Sequence, residues 1–135
     1  MDLRKIYKIN QKRVESFTVG GEHTAYHIGS GGSRVLSTPS LISFLEQVAH
    51  RLLEKDLPEG ALSVGIRVNV KHLAATPVHA VVRVQAEITG ITGKRVAFQV
   101  QAWDEQEKIG EGEHWRAVVD KARFQKEIAA KKDAL

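Results

Sequence analysis

The sequence of 135 residues contains no cysteine. This absence excludes disulfides, thiolate metal sites and thiol nucleophiles together. No apolar run approaches the roughly 20 residues that a membrane-spanning helix needs, so no membrane partner is expected. The first residues, Met1 to Ile6, show no apolar core before a small-residue cleavage site, and no secretory signal is expected. These absences favour a cytoplasmic protein.

Aromatic residues are scarce, at 6% of the chain, whereas hydrophobic residues make up 42% and charged residues 27%. The last two values are those of an ordinary globular protein and exclude a disordered or fibrous chain. The length fits one domain over residues 1–135, with a core at about 14–120 and a basic tail or short helix at 121–135.

The net charge is +4 and the pI is near 9.5, which is compatible with a polyanionic partner. The basic residues gather at the two ends of the chain, where solvated tails and helix faces commonly carry charge. No stripe interleaves basic and aromatic residues for base stacking. Nucleic-acid binding is therefore the weakest functional hypothesis, and no nucleic-acid partner is expected.

One long amphipathic helix is the strongest local signal. Apolar residues recur from Leu41 to Leu53 at the spacing of one helix face. Thr38 and Pro39 supply an N-cap and a proline for the first helical position. The pattern predicts a helix over Pro39–Lys55 with Thr38 as its N-cap.

The chain after residue 60 changes to an alternation of period two, which is typical of half-buried strands. Four strands are predicted at about 64–72, 82–88, 96–102 and 109–119, with short turns between them, and Val14–Val19 is a further candidate strand. In the first of these strands Val64, Ile66, Val68 and Val70 are expected to share one face. This order predicts an α+β fold with an antiparallel sheet, one principal helix, and a short terminal helix over 121–132.

Three side chains and one glycine are candidates for chemistry. Glu46 lies at the edge of the apolar stripe, and the Thr38 hydroxyl lies where free N–H groups favour an anion or a polarised carbonyl. Taken alone, the first is an ordinary exposed glutamate and the second an ordinary N-cap. His72 shares the parity of Val70 and is expected on the covered face, bonded either to backbone or to a carboxylate such as Glu46. Gly65 marks either a strand kink or a close approach of its N–H to a carbonyl group.

Two further segments carry weaker signals. The loop Gly29–Ser33 has the composition of a lid, and no lysine with Ser/Thr follows it as in a phosphate-binding loop. His23 and His27 have the spacing of metal ligands on a helix, but no third ligand lies nearby, so no metal site is expected.

These residues together resemble a known family. Thr38-Pro39 with Glu46, the strand Gly65 to His72 followed by Ala74-Ala75-Thr76-Pro77, and Lys108–Gly112 with His114 and Arg116 are similar to the fluoroacetyl-CoA thioesterase-like branch of the hot-dog thioesterases. The resemblance covers about Phe17 to Phe124. It implies a hot-dog fold, in which an antiparallel sheet wraps around one long central helix.

The resemblance also implies an activity, the hydrolysis of an acyl-CoA thioester. It assigns catalysis to Thr38, Glu46 and His72, and binding of the thioester carbonyl to the backbone of Gly65. Glu46 is then either the base that activates water or the direct nucleophile. No cofactor is implied, because coenzyme A is part of the substrate. The candidates for its phosphates are Arg34, Arg67 and Lys71.

Family members are homodimers with the site at the subunit interface, and the resemblance leaves open whether dimers pair into tetramers. Members selective for fluoroacetyl groups carry aromatic residues in the loop before the helix, which Gly29–Ser33 lacks. We therefore expect a short or medium acyl-CoA as substrate, without strict fluoroacetyl specificity. A noncatalytic acyl-CoA-binding or sensing domain is the alternative. Trp115 has no functional explanation at this stage.

Overall fold

The computed structural model describes residues 1–135 as a five-stranded antiparallel sheet with one long helix against its inner face. The strands are β1 (Lys12–Thr18), β2 (Ala61–His72), β3 (Val81–Thr92), β4 (Arg95–Trp103) and β5 (Lys108–Asp120). The helices are α1 (Ala25–Ile28), α2 (Thr38–Glu54) and α3 (Lys121–Asp133), and short 3₁₀ turns cover Leu3–Lys5 and Gly21–His23. The predicted α+β class, the long helix and the strands are confirmed. None of the helices combines the length and apolar character that crossing a membrane requires.

The apolar stripe of α2 packs on the sheet, as the sequence periodicity predicts. Its buried side chains are Leu41, Phe44, Leu45, Val48, Ala49, Leu52 and Leu53. The predicted N-cap is wrong by one residue, because Ser37 holds that position and its Oγ accepts from the Ser40 N–H at 3.1 Å. Thr38 is the first helical residue, so its hydroxyl is not used for capping.

The strand order of the sheet is β1-β3-β4-β5-β2. Consecutive hairpins join β3, β4 and β5, whereas β2 crosses to the far edge and pairs with β5. One long edge of β2 therefore has no neighbouring strand in this chain. The candidate site residues Gly65 and His72 belong to this edge strand.

A β-bulge interrupts β2 at Ile66. Gly65 pairs with Arg116 and Arg67 with Trp115, which leaves Ile66 as the extra residue. The bulge reverses the alternation, so the expectation that Val64 and Ile66 face α2 is wrong. Ser63 and Gly65 face α2 before the bulge, and Val68, Val70 and His72 face it afterwards. The predicted direction of His72 is confirmed.

The core between α2 and the sheet extends to the N-terminal segment, beyond the predicted range of 14–120. Leu3 and Tyr7 are fully buried in it, and the Tyr7 hydroxyl donates to the carbonyl of Leu53 near the end of α2. At the other terminus, Asp120 caps α3 by accepting from the Arg123 N–H at 2.9 Å. No residue of α3 is buried, so this helix contributes little to the core.

Candidate active site

Thr38 and His72 form a pair at the N-terminal end of α2. The Thr38 Oγ1 lies 2.8 Å from the His72 Nδ1, which joins the first residue of the helix to the last residue of β2. The other ring nitrogen, Nε2, is buried and has no hydrogen-bond partner. Burial lowers the pKa of His72, with an opposing effect from the backbone of Ala74. Burial therefore favours the neutral form of the imidazole.

Glu46 lies farther along α2, against Gly65 of β2. Its side chain is 40% exposed, and its Oε2 is 3.8 Å from the Nη1 of the buried Arg116. A Cβ at Gly65 would lie 2.8 Å from the same oxygen, so only glycine leaves the carboxylate room there. The group that approaches Gly65 is thus the Glu46 carboxylate, and the expected approach of the Gly65 N–H to a substrate carbonyl stays a prediction.

Arg116 is held by a buried polar network. Its Nε donates to the Ser63 Oγ at 2.9 Å and its Nη2 to the Ser63 carbonyl at 3.2 Å. Its Nη1 lies 3.1 Å from the His114 Nε2, and the His114 Nδ1 lies 2.9 Å from the Arg67 carbonyl. Because a carbonyl only accepts, the Nδ1 of His114 carries its proton and the Nε2 accepts from Arg116. Burial is the main cause of a lowered pKa at both His114 and Arg116.

The sequence motifs give this network no role. His114 and Arg116 enter only through the family resemblance, and Ser63 belongs to no motif. The available signal is the alternation of β5, in which His114, Arg116 and Val118 are buried in turn. A histidine and an arginine among buried positions must find polar partners, which points to a site.

The predicted pairing of Glu46 with His72 does not occur within one chain. Thr38 and Glu46 are separated by roughly 12 Å along the helix axis, at about 1.5 Å per residue. Gly65 and His72 are separated by roughly 20 Å along β2, at about 3.3 Å per residue. His72 pairs with Thr38 instead, and Glu46 with Arg116.

An open groove of about 290 Å³ follows the exposed side of α2 and includes Glu46 and Arg116. It is lined by Pro39, Ser43, Glu46, Gln47, His50 and Arg116. Glu46 is in the middle of this lining, so a substrate that reaches its carboxylate must lie along the groove. The groove is therefore the candidate active site of the chain.

The predicted phosphate-binding residues lie outside this groove. The Arg34 guanidinium stacks over the Tyr26 ring at 4.7 Å, in the segment before α2. Arg67 lines a separate groove on the outer face of the sheet with Trp115, and Lys71 pairs in register with Glu111 on that face. Their contact with coenzyme A stays a prediction.

The two histidines with metal-ligand spacing have different surroundings. The His23 Nδ1 accepts from the Gly20 N–H at 2.9 Å, and its ring packs edge-on against Phe44. The His27 side chain and the loop Gly29–Ser33 are exposed. The structure contains no group of three or more histidine, aspartate or glutamate side chains that could hold a metal ion.

Comparison with known proteins relates this fold and site to one family. Residues 19–122 match the model of the family described as fluoroacetyl-CoA-specific thioesterase. The chain is 33% identical over 133 residues to a fluoroacetyl-CoA thioesterase of Streptantibioticus cattleyicolor, a match that covers 94% of this chain and 96% of the relative.

Solved structures show the same architecture. The fluoroacetyl-CoA thioesterase FlK superposes with a TM-score of 0.88 at 27% identity, over 93% of this chain and 97% of that one. A hot-dog-like protein from Thermanaerovibrio acidaminovorans superposes with a TM-score of 0.90 at 24% identity, over 97% of both chains. The hot-dog fold expected from the resemblance is confirmed. The chain belongs to the fluoroacetyl-CoA-specific thioesterase family, a family of thioester hydrolases.

Proposed function

We propose that the protein is a cytoplasmic enzyme that hydrolyses a short or medium acyl-CoA to the free acid and coenzyme A. The observation that carries this proposal is the half-exposed Glu46 carboxylate, which lies against Gly65 and is open to the groove. Strict fluoroacetyl specificity is not proposed, because Gly29–Ser33 lacks aromatic side chains. No cofactor is needed, since coenzyme A arrives with the substrate.

Two routes are open to the Glu46 carboxylate. As a base, it takes a proton from water while the water oxygen attacks the thioester carbon, and the coenzyme A thiolate leaves and is protonated. As a nucleophile, it attacks the carbonyl carbon itself, and the coenzyme A thiolate leaves and is protonated. Water then cleaves the resulting anhydride to the free acid and the Glu46 carboxylate. Both routes give one acid and one thiol from one thioester and one water. In both, the Gly65 N–H and the Arg116 guanidinium, which lies 3.8 Å from the Glu46 Oε2, would stabilise negative charge on the carbonyl oxygen.

The enzyme we propose is a homodimer whose sites contain residues from both subunits. The unpaired edge of β2 is the contact, because an exposed edge strand readily pairs with another strand. Antiparallel pairing about a two-fold axis near the middle of β2 brings the Gly65 end of one strand beside the His72 end of the other. Glu46 would then meet Thr38 and His72 of the partner subunit. The separation of Glu46, beside Arg116, from the Thr38–His72 pair within one chain supports this arrangement, because a partner strand would bring the two together.

The decisive experiment is the release of coenzyme A from a panel of acyl-CoAs, fluoroacetyl-CoA included. A thiol reagent reports the product without background, because the protein contains no cysteine. We expect Glu46→Gln to abolish turnover, and Glu59→Gln, an exposed change in the turn after α2, to leave it intact. Binding of acyl-CoA without thiol release by the wild-type protein would select the sensing alternative. Equal turnover by wild type and Glu46→Gln would contradict the assignment of the site.

A further inference from the structure

The groove around Glu46 is lined almost entirely by polar side chains, which is unusual for a site that binds an acyl chain. Of its lining residues, only Pro39 has an apolar side chain. Ser43, Gln47 and His50 recur at three- and four-residue intervals, so they form one polar stripe on α2. None of these three side chains belongs to the catalytic set proposed above.

The hydrogen bonds along this stripe fix the direction of its donors. The Arg51 Nη2 donates to the Gln47 Oε1 at 3.3 Å, and the Gln47 Nε2 donates to the Ser43 Oγ at 3.1 Å. Arginine only donates, so the side-chain oxygen of Gln47 must face it. The second N–H of Gln47 and the O–H of Ser43 remain available to a ligand. Arg51 is itself held by Glu15, at 2.7 Å, which keeps the series in place.

His50 is the last residue of the stripe, and both of its ring nitrogens have polar partners. Its Nε2 lies 3.1 Å from the Glu54 Oε2, and its Nδ1 lies 3.5 Å from the Ser63 Oγ. The carboxylate accepts from Nε2, and the Ser63 hydroxyl, which already accepts from Arg116, is the donor toward Nδ1. The polar atoms left free for a ligand are therefore mainly the donors of Ser43 and Gln47.

We propose that Ser43 and Gln47 select short acyl groups that carry a hydrogen-bond-accepting oxygen close to the thioester, such as a 3-hydroxyl or 3-keto oxygen. The inference rests on the proposed function. The thioester carbon must approach the Glu46 carboxylate, so the acyl chain extends along the groove in one direction or the other. In both directions the wall from this chain is polar, and burying a methylene there gains little while it desolvates donors.

The acyl preference of the enzyme tests this inference directly. We expect kcat/KM for 3-hydroxybutyryl-CoA to exceed that for butyryl-CoA by about tenfold, the effect of one hydrogen bond with a favourable net contribution. We expect hexanoyl-CoA to be no better than butyryl-CoA. A steady rise of kcat/KM from acetyl- to butyryl- to hexanoyl-CoA, with no gain from the hydroxyl, would overturn the inference.

Variants assign the preference to the two side chains. Ser43→Ala and Gln47→Leu are each expected to reduce the hydroxyl preference severalfold, mainly through kcat/KM for 3-hydroxybutyryl-CoA. Gln99→Leu is the matched control, because Gln99 is exposed on β4 outside the groove. A preference that survives both groove variants would also contradict the inference. If no acyl-CoA is hydrolysed at all, the proposed function itself fails, which is a different outcome from hydrolysis with the opposite preference.

Discussion

At Gly65 the backbone of β2 lies close to the Glu46 carboxylate, the group that we propose as catalytic. Its missing Cβ leaves space for the Glu46 carboxylate, and the bulge at Ile66 directly after it reverses the faces of β2. His114 also lies near the missing Cβ, at 3.3 Å. One small residue therefore permits the contact of the helix carboxylate with the sheet.

Substitution of Gly65 by alanine tests this role. The added Cβ would lie 2.8 Å from the Glu46 Oε2, so the carboxylate must move. We expect Gly65→Ala to lower kcat by about 100-fold, because displacements of about 1 Å have such effects on reacting groups. The melting temperature should change little, since the displaced atom ends a flexible, half-exposed side chain. Steady-state kinetics and thermal unfolding measure the two effects.

Gly21→Ala is the matched control for this variant. Gly21 has no atom within 4 Å of an added Cβ, and its backbone does not require glycine. It should keep wild-type kcat. A Gly65→Ala enzyme as active as this control would show that the position of the Glu46 carboxylate does not limit catalysis.

At the scale of elements, two adjacent residues at the start of α2 differ in their contacts, and we propose different roles for them. Ser37 is buried and caps the helix, whereas Thr38 is exposed and contacts His72. We expect Ser37→Ala to lower the free energy of unfolding by about 1 kcal/mol, the usual effect of losing such a cap. Thr38→Ala should cost much less stability but reduce kcat at least about tenfold, because His72 loses its orienting partner. Chemical denaturation and kinetics on both variants check this separation.

Thr38→Ser serves as the control, since it retains the hydroxyl and removes only a methyl group. It should recover most of the activity that Thr38→Ala loses. If Thr38→Ala instead destabilises the protein as much as Ser37→Ala does, then Thr38 caps the helix, as its position in the sequence first indicated.

The long helix and the strands could be predicted from the sequence. The pairing of β2 with β5 and the bulge in β2 could not. The periodicity gives α2 within one residue at each end and every strand of the sheet, because each pattern is local. The pairing of β2 with β5 joins distant segments, which local patterns do not specify. The bulge was hidden because Val64, Ile66 and Val68 are all apolar, so an interrupted alternation looks like a regular one.

The same limit applies to the candidate site. Thr38, Glu46, Gly65 and His72 are candidates from spacing and resemblance, and their catalytic roles stay predictions. The structure adds the Thr38–His72 contact, which the sequence did not predict. The alternation of β5 indicates that His114 and Arg116 are buried but does not identify their partner, because the hydrogen bonds of Arg116 to Ser63 join two strands that local patterns do not pair. The predicted Glu46–His72 pair does not form within one chain, because the positions of the two residues on α2 and β2 are too far apart.

At the scale of the whole molecule, the proposed dimer accounts for two features at once. These are the separation of Glu46 from the Thr38–His72 pair and the free edge of β2. Val68 faces the inner side of the sheet and is still 39% exposed, as is expected where the sheet continues beyond the coverage of α2. Pairing of two β2 edges would cover this side chain and place each Glu46 near His72 of the partner subunit. A site shared between two subunits can be distinguished from a site within one chain, because only the shared site allows two inactive variants to complement each other.

Two inactive variants should restore activity when they share a dimer. In a dimer of Glu46→Gln with His72→Ala, one composite site carries both changes and the other carries neither. Each purified mixed dimer therefore has one intact site of two, so about half of the wild-type activity per dimer should return. Co-expression with two affinity tags, followed by kinetics on the doubly purified mixed dimer, measures the recovery. If each site is built within one chain, the mixed dimer has one damaged residue in every site, and it should remain as inactive as its parents.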